Sequence, residues 1–247
     1  MKKNLKIARD RKALGLLIDP DKTFNKSKIK ELAIKAEELG VYAILVGGSL
    51  VTNDHTDKVV QGLKIYYSGP VVLFPGGLNQ LTSAADAILF LSLISGRNPE
   101  FLISKQVAAA PLVREMGLQV IPTGYMLIGE GSSASYMSNT VPIPYEKNDI
   151  AMATALAGEM LGHQVIYLDA GSGARLPVEK EMISSVRSSV SLPLIVGGGI
   201  RSFDDAYSSL EAGADMLVIG NAVEQDPSIL MEVSGAVKVM NSLNVHK

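Results

Sequence analysis

Eight short apolar runs, each followed by a stretch with helical spacing, constrain this chain more than any other feature. They cover residues 13–18, 42–46, 71–74, 88–93, 119–122, 165–168, 194–196 and 216–219. The runs are apolar on both faces, as parallel strands are when helices cover one side and a packed interior the other. Between them, Ile29, Leu32, Ala33, Ala36 and Leu39 follow the i, i+3, i+4, i+7 rule of an amphipathic helix, and Gly40 is placed to end it. Ser202 and Asp205 have capping-box spacing at the start of a later helix, which Gly213 closes. A weak internal repeat agrees: residues 38–47 resemble 211–220, and Met116-Gly117 and Leu161-Gly162 begin similar segments. Seven residues beyond each helix-ending glycine stand Gly47, Gly124, Asp169 and Gly220, which are expected at C-terminal strand ends. At 247 residues with no break in composition, the chain is expected to be α/β: a single-domain (β/α)8 TIM barrel over residues 1–247, with a short or irregular third helix. A doubly wound open sheet would share the alternation, but no dinucleotide fingerprint opens any unit.

Composition removes several function classes. A net charge of −2 gives no reason to expect a nucleic-acid partner. The absence of cysteine excludes disulfide and thiol chemistry. His55, His163 and His246 are scattered with no zinc spacing, and no Gly-x-Ser-x-Gly elbow occurs. The N-terminus begins Met1-Lys2-Lys3-Asn4-Leu5-Lys6 but lacks the apolar region of a signal peptide, and no run approaches the roughly 20 apolar residues of a membrane span. A cytoplasmic protein without a transmembrane segment is expected, with transient membrane contact left open for a lipid substrate. A mean hydropathy of +0.22 points to a buried subunit interface, and so to a homo-oligomer.

Several segments carry chemistry. Gly197-Gly198-Gly199 and Gly220-Asn221 each follow an apolar run and precede a helical pattern. Glycine turns of this kind present backbone N–H groups to a phosphate, and the loops after strands 7 and 8 of a barrel form such a site. The first run ends Leu17-Ile18-Asp19-Pro20-Asp21-Lys22 and the second ends Gly47-Gly48-Ser49. Adjacent strands bearing a carboxylate and a hydroxyl can share a Mg²⁺–diphosphate, although Asp and Pro are also ordinary turn residues. The sixth run ends Tyr167-Leu168-Asp169-Ala170-Gly171-Ser172-Gly173, which aims Asp169 into the mouth, with Tyr167 on the same side. Residues 129–148 are too long for an ordinary connection and read as a lid or a substrate-binding loop.

These segments together resemble the geranylgeranylglyceryl phosphate synthase family, with its bacterial heptaprenylglyceryl phosphate synthase relatives, over nearly the whole chain. The resemblance implies a TIM barrel and prenyl transfer from a polyprenyl diphosphate, geranylgeranyl diphosphate first among them, to the 3-hydroxyl of sn-glycerol 1-phosphate, forming an ether-lipid precursor. It implies Asp19 and Ser49 as Mg²⁺ ligands. It implies glycerol phosphate contacts at Tyr167, Leu168, Asp169, Ala170, Gly171, Ser172, Gly173, Gly198, Gly199, Gly220 and Asn221. Asp169 stands where the family often has Glu, so its catalytic carboxylate is one methylene shorter. Leu17 stands where some members have Lys, which leaves a phosphate contact to another cation such as Lys22. Phe74, Pro75, Leu89, Phe90 and Phe101 are candidates to line a prenyl groove, and are equally plausible as plain core. Two alternatives remain at this level: another phosphate-binding barrel enzyme, such as a phosphosugar isomerase or lyase, and a non-catalytic phosphate-binding barrel.

Overall fold

The computed structural model describes all residues except Met1, Asp54, Asn221, Glu224, Gln225 and 245–247, and the side chain of Asn244. Eight parallel strands close into a barrel in sequence order. They are β1 (Ala13–Ile18), β2 (Ala43–Val46), β3 (Val71–Leu73), β4 (Ala87–Leu93), β5 (Gln119–Leu127), β6 (Val165–Asp169), β7 (Leu194–Gly197) and β8 (Met216–Ile219). Pairing of Gly15 in β1 with Val218 in β8 completes the ring. The named α-helices are α1 (Lys26–Leu39), α2 (Thr56–Tyr66), α3 (Lys105–Glu115, entered through a π-helical turn at Glu100–Ser104), α4 (Ser133–Ser138), α5 (Asn148–Met160), α6 (Lys180–Ser189), α7 (Phe203–Glu211) and α8 (Ser228–Asn244).

Strand alternation sorts the core into two layers. Leu45, Val72, Leu89, Tyr125, Tyr167, Ile195 and Val218 fill the barrel. Their neighbours Ile44, Val71, Ile88, Met126, Leu168, Val196 and Leu217 pack outward against helices. The same parity carries Asp19, Gly47, Phe74, Asp169, Gly197 and Gly220 to the inside at the C-terminal mouth. The N-terminal segment crosses the opposite end, where Leu5 is buried and exchanges two hydrogen bonds with the Gln119 side chain (2.8 and 2.9 Å).

Local signals explain the helix ends. Asn25 caps α1 by accepting from the Ser27 N–H at 2.8 Å, and Gly40 ends it at φ 72°. Ser202 caps α7 by accepting from the Asp205 N–H at 3.1 Å. The other half of the expected box is redirected, since the Asp205 carboxylate accepts from the Arg201 N–H instead, at 3.0 Å.

The third unit departs from the alternation as expected. Its connection holds a single 3-10 turn, Leu78–Gln80, after Pro75, Gly76 and Gly77. The fifth unit departs from expectation. β5 does not end near Pro122 but runs on to Leu127. Gly124 therefore lies within the strand, paired with Ser92 and Ile166, and not at the mouth. A Cβ at Gly124 would come within 2.9 Å of Ile94 and 3.0 Å of Ile166, so it marks close outward packing and not a ligand loop. Residues 129–148 contain α4 and fold back beside β5, with the Ile143 N–H donating to the Leu127 carbonyl at 2.9 Å.

Candidate active site

A cavity of about 480 Å³ opens at the C-terminal ends of the strands. Three kinds of surface line it: glycine loops after β6–β8, a carboxylate–hydroxyl pair after β1 and β2, and an apolar wall along β4 and α3.

The glycine side is built by close backbone approach. Gly171, Gly173, Gly198 and Gly199 all have φ between 73° and 95°, open to glycine at little cost. A Cβ on Gly198 would come within 2.6 Å of the Gly171 nitrogen and 2.8 Å of the Asp169 carboxylate. The loops after β6 and β7 are therefore pressed together around Asp169. Gly220 lines the same cavity, against Leu17. Asn221 lies outside the described residues.

Asp169 ends β6 almost fully buried. Its Oδ2 accepts from the Tyr125 hydroxyl at 2.6 Å, and its Oδ1 accepts from the Gly171 N–H at 2.7 Å. Burial raises its pKa above the usual carboxylate range; the two hydrogen bonds pull the other way and offset part of this. Tyr125, Tyr167 and Phe74 form an aromatic cluster beneath it, with ring centroids 5.3–5.6 Å apart. The sequence reading missed Tyr125 because Pro122 and Gly124 look like strand breakers. The alternation through Thr123, Tyr125 and Leu127 is the signal that could have found it.

The site residues drawn from the sequence separate into groups. Tyr167, Asp169, Gly171, Ser172, Gly173, Gly198, Gly199 and Gly220 line the cavity, as do Asp19, Lys22 and Ser49. Leu168 and Ala170 do not. Their side chains belong to the outer layer, because they follow the opposite strand parity, and the Ala170 N–H is engaged by the Gly197 carbonyl at 3.0 Å. Lys22 stands on the carboxylate side, 3.6 Å from Asp19, and not among the glycine loops.

Asp19 keeps its position through local bonds. Its Oδ1 accepts from the Asp21 N–H at 3.0 Å, and its carbonyl accepts from the Lys22 and Thr23 N–H groups at 3.2 and 3.0 Å. Gly47 (φ 157°) lets the β2 loop pass directly over β3: a Cβ there would sit 2.0 Å from the Phe74 carbonyl. Among the described residues no three His, Cys, Asp or Glu side chains converge into a metal cage. One carboxylate and one hydroxyl suit a hard cation that keeps waters and takes its other ligands from phosphate oxygens, as Mg²⁺ does.

The apolar wall includes all five residues named for a groove: Phe74, Pro75, Leu89, Phe90 and Phe101. Ser133, Ala134, Met137 and Ser138 of α4 close one edge, so the long segment is part of the cavity wall.

The sequence model of the PcrB family matches residues 6–239. The chain belongs to this family. It is 53% identical to a geranylgeranylglyceryl phosphate synthase from Chitinophaga pinensis, across 92% of this chain and 93% of that one. It is 51% identical to a protein of the same name from Spirosoma linguale, across 94% and 93%. In structure it is similar to (S)-3-O-geranylgeranylglyceryl phosphate synthase from Thermoplasma acidophilum in complex with sn-glycerol-1-phosphate, with a TM-score of 0.89 and 30% identity over 94% of this chain and 95% of that one. The family match spans all eight strands and every cavity-lining residue named above.

Proposed function

We propose that this member of the family joins a polyprenyl diphosphate, geranylgeranyl diphosphate first among them, to the 3-hydroxyl of sn-glycerol 1-phosphate with the help of Mg²⁺, forming an ether-lipid precursor. Family membership and the relatives' names support a prenyltransferase acting on glycerol phosphate. The observation that carries the finer reading is Asp169, buried and doubly hydrogen-bonded within a cavity that has glycine loops on one rim and Asp19 with Ser49 on another.

In this reading the glycine loops receive the phosphate of glycerol phosphate and leave one hydroxyl facing the centre of the cavity. The apolar wall receives the prenyl chain, and the diphosphate lies toward Asp19, Ser49 and Lys22. Mg²⁺, held by Asp19 and Ser49, would supply neutralisation of the leaving diphosphate. The allylic C–O bond breaks with its electron pair on the diphosphate. The glycerol hydroxyl oxygen bonds to the allylic carbon and its proton passes to Asp169. Burial that raises the Asp169 pKa makes it a better proton acceptor, and the Tyr125 hydroxyl holds the carboxylate in one orientation.

The same reading includes a homo-oligomer and transient contact with a membrane. Exposed Val107 and Leu112 on α3 and Ile150 and Met160 on α5 support the first. Exposed Phe24, Leu50 and Val141 on loops and Tyr136 on α4 support the second, and no described helix is long and apolar enough to cross a membrane.

The decisive experiment incubates the protein with sn-glycerol 1-phosphate, Mg²⁺ and prenyl diphosphates of several lengths, followed by mass spectrometry. A prenylated glycerol phosphate is the expected product. No such product at any chain length would overturn the reading in favour of an isomerase, a lyase or a binding barrel.

A further inference from the structure

The loop that carries Ser49 has no regular structure of its own, yet it is fastened on both sides. From the β3 side, Gln80 reaches it out of the short 3-10 turn. Gln80 Oε1 accepts from the Gly48 N–H at 3.1 Å and from the Gly76 N–H at 3.3 Å, and its Nε2 donates to the Gly48 carbonyl at 2.8 Å. The neighbouring Asn79 donates to the Val51 carbonyl at 2.9 Å. From the β1 side, Asp21 Oδ2 accepts from the Thr52 N–H and hydroxyl at 2.7 and 2.9 Å, and Oδ1 accepts from the Asn53 N–H at 3.2 Å. These bonds hold the Asp21 carboxyl below its usual pKa, the Thr52 N–H contributing most.

Gln80 is 1% exposed, and a buried primary amide is tolerated only when both its ends are bonded. Both ends are spent mainly on the residue that precedes Ser49. Glu lacks the donor and Leu lacks both groups, so glutamine meets the demand of Gly48 on each side of its peptide. Asp21 is tied in turn to Asp19, whose Oδ1 accepts the Asp21 N–H. Asp21 thus ties the far end of the Ser49 loop to Asp19, while Gln80 holds its near end at Gly48. Among the described residues, none of these groups bonds to the glycine loops after β6–β8.

We infer that Gln80 and Asp21 are positioning residues that hold Ser49 in register with Asp19, so that the turn replacing the third helix sets the geometry of the diphosphate-binding half of the site. The inference rests on the functional reading above in assigning that half to a Mg²⁺–diphosphate. Loss of hydrogen bonds that orient a metal ligand typically costs about 10–100-fold in metal affinity.

The test is calorimetric binding of inorganic diphosphate with Mg²⁺ and, separately, of sn-glycerol 1-phosphate, to the wild type, Gln80→Leu and Asp21→Ala. The expected result is a rise of at least about tenfold in the diphosphate Kd for both variants, with the glycerol phosphate Kd within about twofold of wild type. Asp21→Ala lies near the surface and keeps the test open if the buried variant does not fold. Unchanged diphosphate binding in the variants, equal weakening of both ligands, or a wild type that does not bind Mg²⁺–diphosphate would each overturn the inference. A wild type that binds both ligands as expected but makes no prenylated product would overturn the functional reading and leave the positioning roles standing.

Discussion

Asp169 and Tyr125 meet at 2.6 Å in the floor of the cavity, and their pairing has consequences that can be measured. Asp169→Asn removes the proton acceptor while keeping its size, so turnover should drop by about 100-fold or more with little change in glycerol phosphate binding; steady-state kinetics with a parallel binding titration checks both. Because the folded-state pKa of Asp169 lies above the usual value near ~3.9, a rate that needs the ionised carboxylate should fall with decreasing pH earlier than an ordinary Asp would allow. The Tyr125 hydroxyl lowers that pKa, so Tyr125→Phe should move the acid limb of kcat/KM to higher pH. An unmoved or lowered limb in Tyr125→Phe would contradict the assignment. Asp169 was legible in the sequence because it ends an apolar run at the register where a barrel builds its site. Tyr125 was not, because its strand continues through a proline that forfeits one N–H and a glycine that packs against Ile94 and Ile166.

At the scale of elements, the loops depend on glycine where backbone segments touch. Gly198→Ala would push a Cβ to 2.6 Å from the Gly171 nitrogen at a φ of 81°, which an alanine adopts only under strain. We expect glycerol phosphate affinity to weaken at least tenfold, on the scale of about 1–3 kcal/mol of local strain, while Mg²⁺–diphosphate binding stays near wild type; calorimetry with each ligand separates the two. The glycine runs that position these loops are plain in the sequence. So is the stunted third unit, since Pro75-Gly76-Gly77 cannot seed a helix. That Gln80 on its 3-10 turn reaches back to Gly48 was not legible, because the two residues belong to different strand–helix units and meet only after β2 and β3 pair. The long segment at 129–148 was marked by its length, whereas its α4 and its edge along β5 follow from tertiary packing against the cavity wall.

At the scale of the whole molecule, the barrel separates chemistry from stability. Opposite the cavity, Asp215 is 2% exposed and bonds Arg187 at 3.0 Å, Lys12 at 3.3 Å and the Leu194 N–H at 2.9 Å. Asp215→Ala would leave two partly buried cations without their carboxylate, and a loss of about 3–5 kcal/mol in urea unfolding is expected, with little change in kcat for the molecules that remain folded. Light scattering should report an assembly larger than one chain, and Met160→Glu, which places a charge on the exposed apolar face of α5, should reduce its mass. Much of this protein could be read along the chain. Eight apolar runs with intervening amphipathic stretches leave few ways to bury both faces, and a closed barrel is one of them. Strand parity then chooses which residue types reach the mouth, so Asp19, Gly47, Asp169 and Gly220 are legible along the chain. The side chains of Leu168 and Ala170, carried by the same motif, face the outer layer by the same parity. What pattern alone could not supply is which distant groups touch: Tyr125 with Asp169, Gln80 with Gly48, Asp21 with Thr52. Those contacts depend on strand register and loop path, which come from packing the whole ring at once, and periodicity in one segment carries no information about its neighbour's register.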